Sequence, residues 1–154
     1  MQVIEGDLLA LAKGGAFDVI VHGCNCFNTM GAGIAKVIAS EFPQALYADR
    51  NTSKGDRAKL GTITTADARC GDHGLTIVNA YTQFHWRGSG CKVDYRALQS
   101  AFETIAATFP AARIGYPLIS AGLAGGDWNV IAPLIDTALS GHDHALVILP
   151  GTQL

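Results

Sequence analysis

The sequence predicts an α/β protein in which a sheet is covered by helices on both faces. Short runs rich in β-branched residues, bounded by Gly, Asp or Pro, predict six strands, at 2–5, 18–22, 61–66, 75–81, 113–118 and 145–149. Apolar residues at three- and four-residue spacing predict helices between them, at 32–41, 42–50, 94–109 and 128–140. Strands that alternate with helices indicate a largely parallel or mixed sheet.

The first half of the chain supplies three strands and two helices. QVIE at 2–5, DVIVH at 18–22 and GTITTA at 61–66 are the strand runs. One helix begins directly after a glycine-rich turn, at 32–41. The next lies in FPQALYADR, where Pro43 occupies a position that the first helical turn tolerates.

The second half repeats this alternation. The strand runs are LTIVNAY, RIGYPL and ALVIL. Helix 94–109 has an apolar stripe formed by Tyr95, Leu98, Phe102, Ile105 and Phe109. Helix 128–140 has a second stripe and Asp127 as its expected N-cap. His142 and His144 precede the last strand, where we expect a solvated turn.

Composition favours one globular domain over residues 1–154. The chain is 49% hydrophobic and 16% charged, which is enough for a packed core. Its longest apolar runs are far shorter than the roughly 20 residues of a membrane span, and its start lacks a basic segment followed by an apolar one. We therefore expect a cytoplasmic protein without membrane contact. The formal charge of -2 gives no general attraction for nucleic acid, which we do not expect as a partner.

The four cysteines do not form a pattern typical of zinc sites. Cys24 and Cys26 are separated by one residue, and Cys70 and Cys91 form no second close pair. A chain of this size also builds its core without a disulfide framework. We expect small, partly buried thiols, and no metal or cofactor.

Two glycine-rich loops lead from strands into helices. In VIVHGCNCFNTMGAGIAKVIA, residues 19–39, Gly31 and Gly33 precede a helix, and ISAGLAGGDW, residues 119–128, contains three further glycines. Ligands of α/β sheets bind where strands end, and free N–H groups at a helix start suit an anion. The two loops predict a diphosphate site, although glycines there can be turn formers alone. Lys36 stands where a Rossmann motif needs a small residue, and no P-loop motif occurs.

These residues resemble the macro domain, an ADP-ribose-binding module. The resemblance rests on GDLL after the first strand, VIVHGCNC with MGAGIA, and PLISAGLAGGDW, and it extends from about residue 2 to 150. It implies a three-layer α/β/α fold with a six-stranded mixed sheet and an ADP-ribose cleft at the strand ends. The chain is most similar to the branch of ADP-ribose 1''-phosphate phosphatases and stand-alone phage and bacterial macro proteins.

The resemblance also implies ligand-binding residues. Asp7, beside Leu8, corresponds to the residue that accepts the adenine amino group, and its alternative role is a helix or turn cap. Asn25 corresponds to the asparagine that hydrogen-bonds the distal ribose. The remaining positions lie on the two loops and are Met30, Gly31, Ala32, Gly33, Ile34, Ser120, Ala121, Gly122, Leu123, Ala124 and Gly125.

Two residues are candidates for catalysis. His22 stands where binding-only macro domains commonly have asparagine, as in the phosphatase branch, and an imidazole transfers protons near neutral pH. Its alternative role is a satisfied core histidine. Asp127 is the second candidate, as a proton acceptor or orienting carboxylate, or only as an N-cap. The predicted function is binding of ADP-ribose and hydrolysis of ADP-ribose 1''-phosphate to ADP-ribose and phosphate, with ADP-ribosylated macromolecules as further partners.

Three alternatives stay open. One is a non-catalytic reader of ADP-ribose. Another is an ADP-ribosyl glycohydrolase or deacylase, although this chain has Gln83 and Ala124 where the glycohydrolase branch has lysine and aspartate. The third is a nucleic-acid-binding module that uses QFHWRGSGCKVDY, residues 83–95, where aromatic and basic residues alternate. A lid over the distal ribose fits that segment better, because Gly88 and Gly90 allow movement and Arg87 can pair with phosphate.

Overall fold

The computed structural model describes all residues from 1 to 154 and contains a six-stranded sheet. The strands are β1 Gln2–Glu5, β2 Val19–Cys24, β3 Ile63–Cys70, β4 His73–Tyr81, β5 Arg113–Tyr116 and β6 Asp143–Ile148. Their order in the sheet is β1-β6-β5-β2-β4-β3. Only β3 and β4 are antiparallel, and every other neighbouring pair is parallel. The predicted mixed sheet is confirmed.

Five α-helices cover the sheet, together with a one-turn 3-10 helix at Arg57–Lys59. The α-helices are α1 Leu8–Lys13, α2 Gly33–Glu41, α3 Pro43–Arg50, α4 Tyr95–Thr108 and α5 Trp128–Ala138. None of them combines the length and apolar character needed to cross a membrane.

Successive residues of each strand pack into two different cores. In β2, Val19 and Val21 belong to the core that contains Phe102 of α4 and Ile135 of α5. Ile20, between them, belongs to the core formed with α1, α2 and α3. Because strand side chains alternate between faces, the helices form one layer on each side of the sheet.

The antiparallel hairpin is longer than the sequence predicts. Cys70 pairs with His73, so Gly71 and Asp72 form a two-residue turn, with Gly71 at φ +63° as such turns require. The inward residues of this part of β3 are Ala66 and Ala68, which lack the β-branched character used to detect strands. At the other end of the sheet, β5 stops at Tyr116 because the following proline has no N–H to continue the ladder.

The expectation for His144 is wrong. Strand β6 begins at Asp143, so His144 lies within the sheet, and its Nδ1 is 2.7 Å from the Tyr116 hydroxyl. His142 stays in the turn before β6, and its Nε2 donates to the carbonyl oxygen of Ala106. His142 and His144 therefore have structural contacts at the start of β6.

Parallel pairing places five strand ends at one edge of the sheet. The chain leaves β1, β2, β4, β5 and β6 on the same side, and each exit begins a loop or helix. This edge is where an α/β sheet binds ligands.

Candidate functional site

Two adjacent cavities lie along the carboxyl edge of the sheet. The β1-side cavity, about 710 Å³, is lined mainly by apolar residues that include Leu8, Ile34 and Leu118, together with Asp7. The β4-side cavity, about 580 Å³, is more mixed, with Asn25, Gln83, Trp86 and Lys92 among its lining residues. Together they form one candidate ligand cleft.

The N-terminus of α2 lies between the two cavities. Ile34 and Val37 line the β1-side cavity, whereas Ala32 and Ala35 line the β4-side cavity. The N-cap residue, Ala32, offers no side-chain acceptor to the first turn. The N–H groups of that turn, at the positive end of the helix dipole, are therefore available to an anion.

The other helices that border the sheet edge start differently. Aspartate carboxylates cap α1, α4 and α5 by accepting a backbone N–H of the first turn. Helix α3 also lacks a side-chain cap, but it begins with Pro43, which has no N–H to satisfy. The open N-terminus of α2 is thus a specific feature of the cleft.

Three loops enclose the β4-side cavity. We call residues 25–32 the first glycine loop, 119–126 the second glycine loop and 83–92 the aromatic loop. The second glycine loop approaches the start of α2, since a Cβ placed on Gly33 would lie 3.4 Å from Leu123 Cδ1. The aromatic loop joins the second glycine loop through the N–H of Lys92, which donates to the Ala124 carbonyl at 2.7 Å.

Asn25 is held by its own loop. Its Nδ2 donates to the Thr29 hydroxyl at 2.8 Å and to the Thr29 carbonyl at 3.2 Å, while its Oδ1 accepts the N–H of Phe27 at 2.8 Å. One lone pair of Oδ1 stays free for a ligand, because an amide oxygen accepts two hydrogen bonds. Asn25 therefore sets the loop conformation as well as lining the cavity.

A buried lysine supports this loop from below. Lys59 is 7% exposed, and its Nζ donates to the Cys26 carbonyl at 3.2 Å and to Asn28 Oδ1. Asn28 adopts φ +58°, and its Nδ2 donates to the Thr52 carbonyl at 2.8 Å. The sequence analysis does not identify Lys59, because nothing in the surrounding polar sequence indicates that its side chain is buried.

Asp7 combines the two roles considered for it. Its Oδ1 caps α1 by accepting the N–H of Ala10 at 2.9 Å. Its side chain also lines the β1-side cavity. A carboxylate has two oxygens, so capping leaves Oδ2 as an acceptor for a ligand.

His22 is enclosed in the core. It is fully buried and lines neither cavity. Asn79 donates through Nδ2 to Ala45 and Thr64, so its Oδ1 accepts from His22 Nε2 at 2.6 Å. Burial lowers the pKa of His22 to about 4, although the hydrogen bond that His22 donates to Asn79 opposes this. The imidazole is therefore neutral at pH 7 and carries its proton on Nε2.

Asp127 lies on the outside of the second glycine loop. Its Oδ1 accepts the N–H of Asn129 at 2.9 Å, which confirms the predicted N-cap of α5. It is exposed and lines neither cavity. The structure does not bring His22 and Asp127 together at the cleft.

The thiol of Cys24 lies between His22 and the cleft. Its Sγ lies 3.7 and 3.9 Å from the two ring nitrogens of His22, and Cys24 lines the β4-side cavity. Burial raises the pKa of Cys24 well above its usual value, so it is a neutral thiol at pH 7.

The predicted ligand-binding residues fall into two groups. Those that line the cavities are Asp7, Leu8, Asn25, Gly31, Ala32, Ile34, Leu123 and Ala124. Of the rest, Met30 is buried in the core, and Ser120, at φ +62°, has its hydroxyl 2.9 Å from that of Thr82. Ala121, Gly122 and Gly125 belong to the second glycine loop and Gly33 is the first residue of α2, and none of the four lines either cavity.

Sequence reasoning did not identify several apolar lining residues. Pro117, Leu118 and Leu149 line the β1-side cavity. Each lies just beyond the end of a parallel strand, which is the position that would have indicated them. Elsewhere in the molecule, no three His, Cys, Asp or Glu side chains gather where they could share a metal ion.

A three-layer α/β/α fold with a ligand cleft at its carboxyl edge defines the class of protein to which this chain belongs. The sequence model of the Macro domain family matches residues 21–135, and the chain belongs to that family. It is 35% identical over 152 residues to an uncharacterized 17.5 kDa protein in the tk-vs intergenic region of Enterobacteria phage T4, covering 96% of this chain and 95% of that protein.

Solved structures show the same fold. A protein of unknown function from Bacteroides thetaiotaomicron has a TM-score of 0.81 at 22% identity, covering 96% of this chain and 97% of that one. Thermosipho africanus DarTG in complex with ADP-ribose has a TM-score of 0.74 at 15% identity, covering all of this chain and 43% of that one.

Proposed function

We propose that this chain binds ADP-ribose along the cleft. The adenosine half occupies the β1-side cavity, the distal ribose occupies the β4-side cavity, and the diphosphate lies at the N-terminus of α2 between them. The observation that carries the proposal is the uncapped first turn of α2, whose residues line both cavities. Membership of the Macro domain family and the ADP-ribose complex of Thermosipho africanus DarTG support the choice of ligand.

Two glycines support a ligand path through the loops. Gly31 and Gly122 have ordinary φ angles, and a Cβ on either would meet no protein atom within 4 Å. Neither backbone conformation nor packing therefore explains glycine at these positions. Gly31 lines the β4-side cavity, where its missing side chain leaves room for the phosphates and distal ribose, and Gly122 directly precedes Leu123, which lines the same cavity.

The β1-side cavity suits a planar base. Its apolar walls, including Leu8, Ile34 and Leu118, offer area for a ring to bury. Asp7 Oδ2 offers an acceptor to an exocyclic amino group, as adenine N6 requires. The second carboxylate of the cavity, Glu41, is paired with Lys13 at 2.6 Å, so we assign adenine recognition to the apolar walls and Asp7.

The lining of the β4-side cavity favours binding without turnover. Its polar residues are Asn25, Thr29, Gln83 and Lys92, and no carboxylate or imidazole lines it. General acid-base catalysis most often uses an imidazole or a carboxylate within hydrogen-bond reach of the reacting atoms, whereas the titratable side chains of this cavity are the amine of Lys92 and the thiol of Cys24. A non-catalytic ADP-ribose reader is thus the first candidate.

Hydrolysis of ADP-ribose 1''-phosphate is the second candidate function. The observation that favours it is the contact of Cys24 with both His22 and the cavity, which leaves His22 one side chain away from a ligand. A neutral thiol is a weak proton relay, so this path ranks below simple binding.

Two measurements on the wild-type protein and His22→Gln distinguish these candidates. We expect ADP-ribose 1''-phosphate to raise the melting temperature of both proteins, and phosphate release to equal that of buffer. Phosphate release above buffer that is lost in His22→Gln would instead establish the hydrolase. The absence of any ligand-dependent shift in wild type would overturn the binding proposal.

A further inference from the structure

Basic residues are concentrated in two segments of the chain. Segments 50–59 and 83–92 hold six of the eleven Lys and Arg residues but only one of the thirteen Asp and Glu residues, and five of the six basic residues, all but the buried Lys59, reach the surface. The overall charge of -2 therefore hides a strong segregation of charge. A local basic surface attracts a polyanion even where the net charge of the chain does not.

The two basic segments meet in space. The guanidinium of Arg57 lies 3.9 Å from the ring centre of Phe84. The first glycine loop packs between them, since the N–H of Gly55 donates to the Cys26 carbonyl at 2.7 Å and the N–H of Cys26 donates to Phe84. The segments thus form one surface beside the β4-side cavity.

Aromatic rings cross this surface in a continuous series, which we call the aromatic ladder. Centroid distances between its rings are 5.0 Å for Phe84 and Phe27, 4.5 Å for Phe27 and His85, and 5.3 Å for His85 and Trp86. The guanidinium of Arg87 lies 4.4 Å from the Trp86 ring. An arginine therefore stacks at each end of the ladder.

The outer end of the ladder is fixed and exposed. His85 Nδ1 accepts the N–H of Arg87 at 2.8 Å, which holds the turn that presents Trp86. Trp86 is 43% exposed, whereas most aromatic side chains of this molecule are buried or half-buried. Trp86 and Lys92 also line the β4-side cavity, so the ladder begins at its mouth.

We propose that this surface binds single-stranded nucleic acid. Bases stack on Trp86, while Arg57, Arg87 and Lys54 contact phosphates. A run of aromatic rings flanked by cations combines the stacking faces and the phosphate contacts that bind single strands without sequence preference. An acidic peptide would pair with the charges but supply no planar group for the part of the Trp86 ring that Arg87 leaves exposed, and a duplex hides the faces of its bases. This binding does not depend on ADP-ribose.

Fluorescence anisotropy with a labelled twelve-nucleotide oligothymidylate, at about 50 mM salt, tests the proposal. Trp86→Ala should weaken binding about fivefold or more, whereas Trp86→Phe should keep most of the affinity because it keeps a stacking face. Arg57→Gln should weaken binding and reduce its salt dependence. The charge-matched control is Arg69→Gln, on exposed β3 outside both segments, which should bind like wild type.

Two further probes separate the kinds of ligand. Binding of a matching oligouridylate or of the oligothymidylate supports the proposal, and their relative affinity distinguishes RNA from DNA. Circular dichroism melting establishes that each variant is folded. The proposal is overturned if wild type binds neither oligonucleotide, if folded Trp86→Ala binds as tightly as wild type, or if an oligoglutamate peptide binds as tightly as the oligonucleotides.

Discussion

At the scale of single residues, His22 links the stability of the fold to pH. Its pKa is about 4 in the folded protein and 6.5 for an unperturbed imidazole. Below pH 6.5 the unfolded chain binds a proton that the folded chain does not. The stabilisation is therefore complete above pH 6.5 and is lost as the pH falls toward 4, which amounts to about 3 kcal/mol.

Urea unfolding at pH 7.5 and pH 4.5 checks this prediction on wild type and His22→Gln. The glutamine amide can still donate to Asn79, but it does not titrate. We expect the free energy of unfolding of wild type to fall by roughly 2–3 kcal/mol more than that of the variant over this range. Equal losses in the two proteins would show that His22 is not the responsible group.

Sequence predicts residue types at the cleft better than it predicts burial. Asp7 and Asn25 lie at the cleft as the motifs predict, because the loops that follow parallel strands all lie at the carboxyl edge of the sheet. The surroundings of Lys59 and His144 depend on contacts with residues distant in the chain, Cys26 and Tyr116. Such contacts leave no local pattern in the sequence.

At the scale of secondary-structure elements, α2 begins without a side-chain N-cap hydrogen bond. Ala32 has the extended φ and ψ of an N-cap residue, -145° and 160°, but no side-chain oxygen. With alanine at the N-cap, α2 is less stable than it would be with Asp or Asn there. We interpret the missing cap as the feature that leaves the N–H groups for the ligand.

The variant Ala32→Asp tests this interpretation. The new carboxylate should cap α2 and raise the free energy of unfolding by about 0.5–2 kcal/mol. It should also weaken ADP-ribose binding at least tenfold, because it occupies the anion position and repels the diphosphate. Chemical denaturation and calorimetry measure the two effects. The control Ala111→Asp adds the same charge on an exposed loop and should change neither.

Opposite signs of the two effects are the essential result. If Ala32→Asp were stabilised yet bound ADP-ribose like wild type, the N-terminus of α2 would not be the diphosphate site. If both stability and affinity fell, the variant would report damage to the loop rather than competition for the N–H groups.

The sequence located most elements and missed a few for physical reasons. All six strands and four of the five α-helices overlap their predicted ranges. Helix α1 was not predicted, because its six residues are too few to show a period. The end of β3 and the start of β4 lie outside the predicted ranges, because these residues are strand only through their pairing across the turn.

At the scale of the whole molecule, the sheet order creates the cleft. Strands β1 and β2 follow each other in sequence but are separated by β6 and β5 in the sheet. The loops after these strands therefore contribute to different cavities, and α2 joins them. Alternation alone does not determine this order, and the resemblance to the macro domain predicts a six-stranded mixed sheet without its strand order.

Isothermal titration calorimetry of the wild-type protein tests most directly whether one ligand spans both cavities. The titrants are ADP-ribose, AMP, which fills only the β1-side cavity, and ribose 5-phosphate, which fills only the β4-side cavity. We predict one ADP-ribose per chain, bound at least about tenfold more tightly than either half, because joining the halves removes the entropic cost of binding them separately. Absence of saturable heat with ADP-ribose, or equal affinity for AMP, would contradict the account.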